Sequence, residues 1–251
     1  MANVIENRRH FHPDAAQMSV GKDGHVYLVS TGGCHVTANA TGVVARCDGF
    51  DARCVEAGAS RFYLLRHSGV IDVVSPGGMV ERSVTPPADS GVAIDLRVHE
   101  DADGAPVFTV LVLDVAGGNH VRRLGRRGDR WGELWRRPTA VNPRSLELHR
   151  RGGWDVGDDG TLFLLEPGER AELRRHDRAG RPRAGLPLDP PLDAGARALR
   201  VHRDTLFVQV TGGPELFRSY RIADGRGTFM EAVTGEPQEA GARAGARAPT
   251  A

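Results

Sequence analysis

The chain has 251 residues, 40% of them hydrophobic, with 32 Gly and 15 Pro, which is long enough to bury a real core and suits a single turn-rich all-β domain. Lys and Arg number 33 against 32 Asp and Glu, a formal net charge of +1, so no global field draws the chain to nucleic acid or a membrane surface. No apolar run reaches the length that spans a bilayer, and Met1–Arg9 lacks the apolar core of a secretory leader, so a cytoplasmic location is expected.

Residues 1–17 (MANVIENRRHFHPDAAQ) precede the first clear repeat, and within them Asn3-Val4-Ile5-Glu6 is a candidate ring-closing strand. Ser19 to Gly33 (SVGKDGHVYLVSTGG) starts with a Lys22-Asp23-Gly24 turn and continues into a β-branched and aromatic run. The turn follows from a short side chain that bonds its own backbone and a glycine able to take positive φ. Looser copies are Arg61–Leu65 before His67-Ser68-Gly69, and Ala105–Leu111 before Gly117-Gly118. The basic stretch Arg122-Arg123-Leu124-Gly125-Arg126-Arg127 is interleaved with a turn and reads as the solvated edge of a sheet. Arg130–Arg137 (RWGELWRR) is the strongest helix candidate, but it is short, carries Gly132 and ends at Pro138, so it reads as an outer strand or loop.

The fullest unit is Trp154–Arg181. Asp158-Asp159-Gly160 makes a turn, Thr161–Leu165 a strand, Pro167-Gly168 a break, Ala171–His176 a second extended run, and Asp177–Gly180 another turn. Pro182–Pro191 (PRAGLPLDPP) reads as a rigid exposed connection, and Thr205–Val210 repeats the strand before Gly212-Gly213. Gly235–Ala251 has no bulky apolar residue and is expected to be a disordered tail.

Val20-Gly21-Lys22-Asp23-Gly24 matches Val156-Gly157-Asp158-Asp159-Gly160 in four of five positions. With Val26, Phe62, Val107, Leu162 and Leu206 as equivalents, the spacings are 36, 45, 55 and 44 residues. A period of roughly 40 to 50 residues made of short strands and glycine turns predicts an all-β β-propeller of about five blades, or six if a degenerate blade is hidden. The propeller is assigned to residues 18–234, between an N-terminal segment (1–17) and the tail (235–251). Both matching phrases, Val20–Leu28 and Val156–Leu164, resemble the repeat of NHL-type and strictosidine-synthase-like propellers. The resemblance covers residues 15 to 235 and implies an inner strand, an Asp-Gly turn and a second strand in each blade. It carries no active site, because that broad group includes interaction modules, hydrolases, lyases and condensing enzymes.

Ten histidines invite a metal reading. His99, His149 and His202 stand in similar phrases (Leu96-Arg97-Val98-His99, Leu146-Glu147-Leu148-His149, Leu199-Arg200-Val201-His202), each before a strand of its own blade. Rotation about one axis could gather neutral imidazoles around a divalent Zn, Fe, Cu or Mn ion. Their spacings to the next aspartate differ, so one ring at one height is not dictated. His12 and His149 form a second grouping, 11 and 10 residues before Asp23 and Asp159, on connections that lead into inner strands. Asp14, Asp155 and Asp158 could add carboxylates, though aspartate there is first a turn former.

Cys34, Cys47 and Cys54 lack metal spacing and are read as free buried thiols. No glycine-rich phosphate loop and no Gly-x-Ser-x-Gly is present. Phe62, Tyr63, Phe108, Phe163 and Phe207 fall in the equivalent strand and are inter-blade packing residues. Trp154, after Gly152-Gly153, is the candidate to line the channel mouth and stack on a ligand.

The reading that follows is a scaffold binding a small molecule, peptide or protein at its channel face, with Trp154, His12 and His149 at the ligand. The alternative is a metal-dependent hydrolase, lyase or cyclase that uses histidines from different blades. Limited proteolysis should remove part of residues 235–251 before any cut within residues 1–230; an earlier internal cut would contradict these limits.

Overall fold

The computed structural model describes the backbone of residues 15–20, 26–30, 33–38 and 42–48. It also describes residues 52–234 with side chains, apart from 59–60, 76, 102, 115, 129, 143–151, 193–194 and 211–213. Among the described residues, all regular structure is β and falls into five sheets.

The first blade is β1 (Ala15–Val20), β2 (Val26–Ser30), β3 (Gly33–Ala38) and β4 (Gly42–Asp48). The second is β5 (Ala52–Ala57), β6 (Phe62–Arg66), β7 (Ile71–Val74) and β8 (Val80–Val84). The third is β9 (Val92–Glu100), β10 (Pro106–Leu113), β11 (His120–Arg127) and β12 (Arg130–Pro138). The fourth is β13 (Gly153–Val156), β14 (Leu162–Glu166), β15 (Glu172–His176) and β16 (Pro182–Arg183). The short β17 (Leu188–Asp189) comes next, and the fifth blade is β18 (Ala198–His202), β19 (Thr205–Gln209), β20 (Glu215–Ala223) and β21 (Arg226–Thr234).

Every blade is an antiparallel meander in chain order, and β17 adds a parallel strand at the outer edge of β21. This is the expected propeller of five blades. Val26, Phe62, Val107, Leu162 and Leu206 all fall in the second strand of their blades.

In blades two to four that second strand is buried on both faces, from Phe62 to Leu65, Val107 to Val112 and Leu162 to Glu166. Burial on both faces is why the sequence there is a continuous run and does not alternate. Tyr63 and Phe108 meet edge-on across the seam between blades two and three, with centroids 5.5 Å apart, and Trp131 lies 4.7 Å from Phe108. Phe62, Tyr63, Phe108 and Phe163 are therefore packing residues, each fully buried one worth about 1.5–3 kcal/mol; Phe207, expected with them, is only half-buried. β19 differs. Leu206 and Val208 are buried, whereas Thr205 and Phe207 are half-buried and Gln209 is exposed, so burial alternates along this strand.

Three expectations are refined. Arg130–Arg137 is indeed an outer strand, β12. Pro182–Pro191 is more than a connection, because it supplies β16 to blade four and β17 to blade five, with Leu186 buried between them. Each described blade takes its four strands from one continuous stretch; Asn3–Glu6, the candidate ring-closing strand, lies outside the described residues together with 235–251.

The inner strands pack in succession, β1 on β5, β5 on β9, β9 on β13 and β13 on β18. At the last seam Gly153 lets the backbones touch: a Cβ there would lie 2.7 Å from Leu199 N and 2.8 Å from Ala198 Cα. Backbone cannot yield as a side chain does, so Gly153→Ala should cost about 1–3 kcal/mol in urea denaturation. Unchanged stability would mean that this seam is looser than described.

Candidate binding face

The registers define two ends of the blades. β9 starts where β10 finishes, and β12 ends beside the start of β11, where Thr139 N donates to Asn119 O at 2.9 Å. Connections leading into inner strands and turns between second and third strands therefore share one face, here termed the lead-in face. Turns between first and second strands lie on the opposite face.

Ionised groups from four inner strands meet at the hub. Arg97 on β9 donates from Nε to Asp155 Oδ1 on β13 (2.9 Å) and from Nη1 to Asp95 Oδ1 (2.8 Å) and Leu96 O (2.7 Å). Glu56 Oε2 on β5 lies 3.9 Å from Arg97 Nη1. On β18, Val201 N donates to Asp155 Oδ2 at 2.7 Å and Arg200 Nη1 to Asp155 Oδ1 at 3.3 Å. Two guanidiniums thus face three carboxylates. Burial pushes the Glu56 carboxyl up to about 7, because Arg97, which pulls the other way, is already shared between Asp95 and Asp155.

Trp154 is part of this hub. It is 3% exposed, its Nε1 donates to Asp95 Oδ2 at 3.1 Å, and the Arg97 guanidinium lies 4.8 Å from its ring centroid. The site expected for a stacked ligand is thus filled by Arg97 in a cation–π contact.

His99 and His202 stand at the finishing ends of β9 and β18, near the face opposite the lead-in face. His202 is exposed, whereas His99 is buried beside Gly160, with Asp101 Oδ1 3.8 Å from its Nε2. Neither His99 ring nitrogen has a hydrogen-bond partner among the described residues. Burial first, and then the Arg123 guanidinium, push its imidazole down to about 4. His12 and His149 lie outside the described residues. Among the described residues, no group of three or more His, Cys, Asp or Glu side chains could hold a metal ion. Cys54 is a buried free thiol, and Cys34 and Cys47 stand opposite one another in the β3–β4 register.

Two hollows open on the lead-in face. The larger, about 850 Å³, lies between blades three and four and is lined by Asp114, His120, Arg136, Glu166, Arg170 and Arg174. The smaller, about 460 Å³, lies between blades two and three against Val70, Pro87, Asp89, Val110 and Arg122. Their common wall is an ion network. Asp89 Oδ2 is met by Arg122 Nη1 (2.8 Å), Arg136 Nη2 (2.8 Å) and His120 Nε2 (3.2 Å), while Glu133 Oε2 accepts from Arg122 Nε (2.7 Å) and Arg136 Nη2 (3.0 Å). Burial opposes ionisation of Asp89, but the Gly91 amide, His120 and the two arginines together hold its carboxyl below the usual range.

His120 Nδ1 is also engaged, at 3.1 Å from Gly118 O, and the Ser90 hydroxyl donates to Asp114 Oδ2 at 2.5 Å. With both ring nitrogens held and the serine directed to a carboxylate, this constellation lacks the base–nucleophile contact of covalent catalysis. It forms a rigid, charged wall.

The basic stretch was expected to be solvated, yet Arg122 and Arg123 are 4% and 0% exposed, and only Arg126 and Arg127 face water. Arg123 spans blades three and four, donating to Thr109 Oγ1 (3.2 Å) and Gly160 O (2.7 Å) beneath Trp135. Sequence gave no signal that His120, Asp89 and Arg136 would converge, since they come from three separate segments.

No protein-family model and no curated protein matches the chain. Its solved structural neighbours are β-propeller proteins. BamB from Moraxella catarrhalis matches with TM-score 0.44 and 13% identity over 84% of this chain and 62% of that one. A chain of the Mitotic Checkpoint Complex matches with TM-score 0.51 and 10% identity over 90% and 81%, and the N-terminal domain of Nup159 with 0.46 and 10% over 88% and 61%. The chain thus spans less than two thirds of the first of these. At such identities the likeness shows the propeller fold alone, and none of the three is of the NHL or strictosidine-synthase type.

His99 makes stability pH-dependent. Its folded value is about 4 against 6.5 for the unconstrained group, so the contribution is complete above about pH 6.5 and is lost as pH falls toward 4. The loss amounts to about 3 kcal/mol. Urea titrations at pH 7 and pH 4 should show this loss in the wild type and its absence in His99→Leu; equal slopes in both proteins would sink the assignment.

Proposed function

We propose that the protein is a propeller scaffold that binds a partner protein or extended peptide across its lead-in face. The observation that carries this reading is the pair of adjoining hollows, about 850 and 460 Å³, set on either side of an ion-paired wall in which His120 and Arg122 are buried, Asp89 is half-buried and Arg136 is exposed. A wall fixed by its own ion pairs costs little to order on binding, which is the condition for a preformed recognition surface. Arg170 and Arg174 reach solvent at the rim of the larger hollow and can address a partner's carboxylates or carbonyls. One propeller neighbour belongs to an assembly, the Mitotic Checkpoint Complex, and the present reading is of the same broad kind. A cytoplasmic location and an NHL-like ancestry of the blade pattern are part of the proposal. No helix among the described residues is long and apolar enough to cross a membrane.

The reading is tested by panning a displayed random-peptide library on the immobilised protein. Enriched peptides should lose at least about tenfold in affinity to the double variant Arg170→Glu/Arg174→Glu, about 1.4 kcal/mol or more, and none to Arg61→Glu on the opposite face. Peptides indifferent to the first variant and sensitive to the second would place binding elsewhere.

A further inference from the structure

We propose that Cys34 and Cys47 are a thiol pair that oxidises to a disulfide across β3 and β4, with a low-molecular-weight disulfide as the oxidant. The ladder sets the two residues directly opposite one another, between the pairs Gly33 with Asp48 and His35 with Arg46. Residues opposed in this way share one face of the sheet, with Cβ atoms about 4.5–5.5 Å apart. The Cα separation of such a pair is about 4.5 or about 5.5 Å, according to whether the two residues exchange hydrogen bonds. Both values lie inside the range of about 4.4–6.8 Å that a disulfide spans, so a small closing movement joins the sulfurs without any change of register.

The third cysteine has a different setting. Cys54 on β5 is 1% exposed and packs in one cluster with Leu96 and Phe108 of blade three. Burial first, and then Asp95, push its thiol up, so little of the nucleophilic thiolate forms there.

Position gives the pair a consequence for the fold. β3 and β4 are the outer strands of blade one. Gly33 opens β3 just after the turn from β2, and Asp48 closes β4 shortly before β5 starts at Ala52, which places the pair at the lead-in end of the blade. The hairpin connection after Ala38 joins the other end of these strands. Oxidation therefore closes the open end of the β3–β4 hairpin and fixes the point from which the chain passes into blade two.

The exchange balances. One cysteine thiolate attacks the S–S bond of the oxidant, forming a mixed disulfide and expelling one thiolate. The second cysteine thiolate then attacks the protein-bound sulfur and expels the other. Two thiols of the chain thus lose two electrons and two protons, and the oxidant is reduced to two thiols.

Oxidation of the native chain with oxidised glutathione, followed by alkylation in guanidinium and tryptic mass spectrometry, tests this. Trypsin cuts after Lys22, Arg46, Arg53 and Arg61, so each cysteine falls in its own peptide. Residues 23–46 should be joined to 47–53 with the loss of two hydrogens, while 54–61 carries the alkyl group. Dithiothreitol should restore alkylation of all three cysteines, and Cys47→Ser should lose the link. The chain oxidised while unfolded in guanidinium should also join Cys47 to Cys54, because that loop is the shorter of the two. The proposal is overturned if all three cysteines of the native chain remain open to alkylation, if Cys34 and Cys47 carry separate glutathione adducts, or if the native chain gives the same mixture of links as the unfolded one.

Discussion

The carboxylate of Asp155 ties three blades together. From the middle of β13 in blade four it accepts Arg97 from blade three and both the Val201 amide and Arg200 from blade five. A buried carboxylate pays a heavy desolvation cost unless it is fully partnered, and a partner withdrawn from such a pair leaves an uncompensated charge worth about 3–5 kcal/mol. The inner strands are thus held in one mutual arrangement, and the outer strands, hollows and rim inherit their positions from it. Trp154 adds to the same constraint by lying against Arg97 and donating to Asp95.

The hub and the lead-in wall handle charge in different ways. At the hub, among the described residues, the carboxylates of Glu56, Asp95 and Asp155 share the guanidiniums of Arg97 and Arg200, and burial pushes the Glu56 carboxyl up to about 7. In the wall, Asp89 and Glu133 face Arg122, Arg136 and His120, so the carboxylates are saturated by cations and donors. The first arrangement responds to pH near neutrality. The second stays fixed while a partner approaches, which is what recognition from a preformed surface needs.

Architecture was legible in the sequence because it rests on local chemistry repeated five times. The Asp158-Asp159-Gly160 turn is made as its residues dictate, with Gly160 at φ 78° and its amide bonded to Gly157 O at 2.8 Å. Second strands declared themselves by continuous apolar runs, as in Phe62–Leu65 and Leu162–Leu165. The candidate site was not legible. Asp89, His120 and Arg136 are joined by sheet register and by a connection between blades, neither of which leaves a mark on neighbouring residues. Arg122 and Arg123 look like solvated charge in a string of arginines, and only the seams between blades reveal them as buried. At Gly152-Gly153, which drew attention to Trp154, the backbone passes close to Leu165 O and to Ala198 and Leu199, and the indole itself lies against Arg97, a partner from another blade that neighbouring residues do not announce.

The chain between β16 and β17 has a mechanical consequence. Within a few residues it supplies the outer strand of blade four and then an edge strand of blade five, where Gly227 N donates to Pro187 O at 2.9 Å and Tyr220 Oη to Pro190 O at 3.1 Å. The same two blades are joined at their inner edges by Gly153 against Ala198 and Leu199 and by Asp155 on Val201. Blades four and five are thus clasped at rim and axle alike, so that neither seam alone fixes the angle between them.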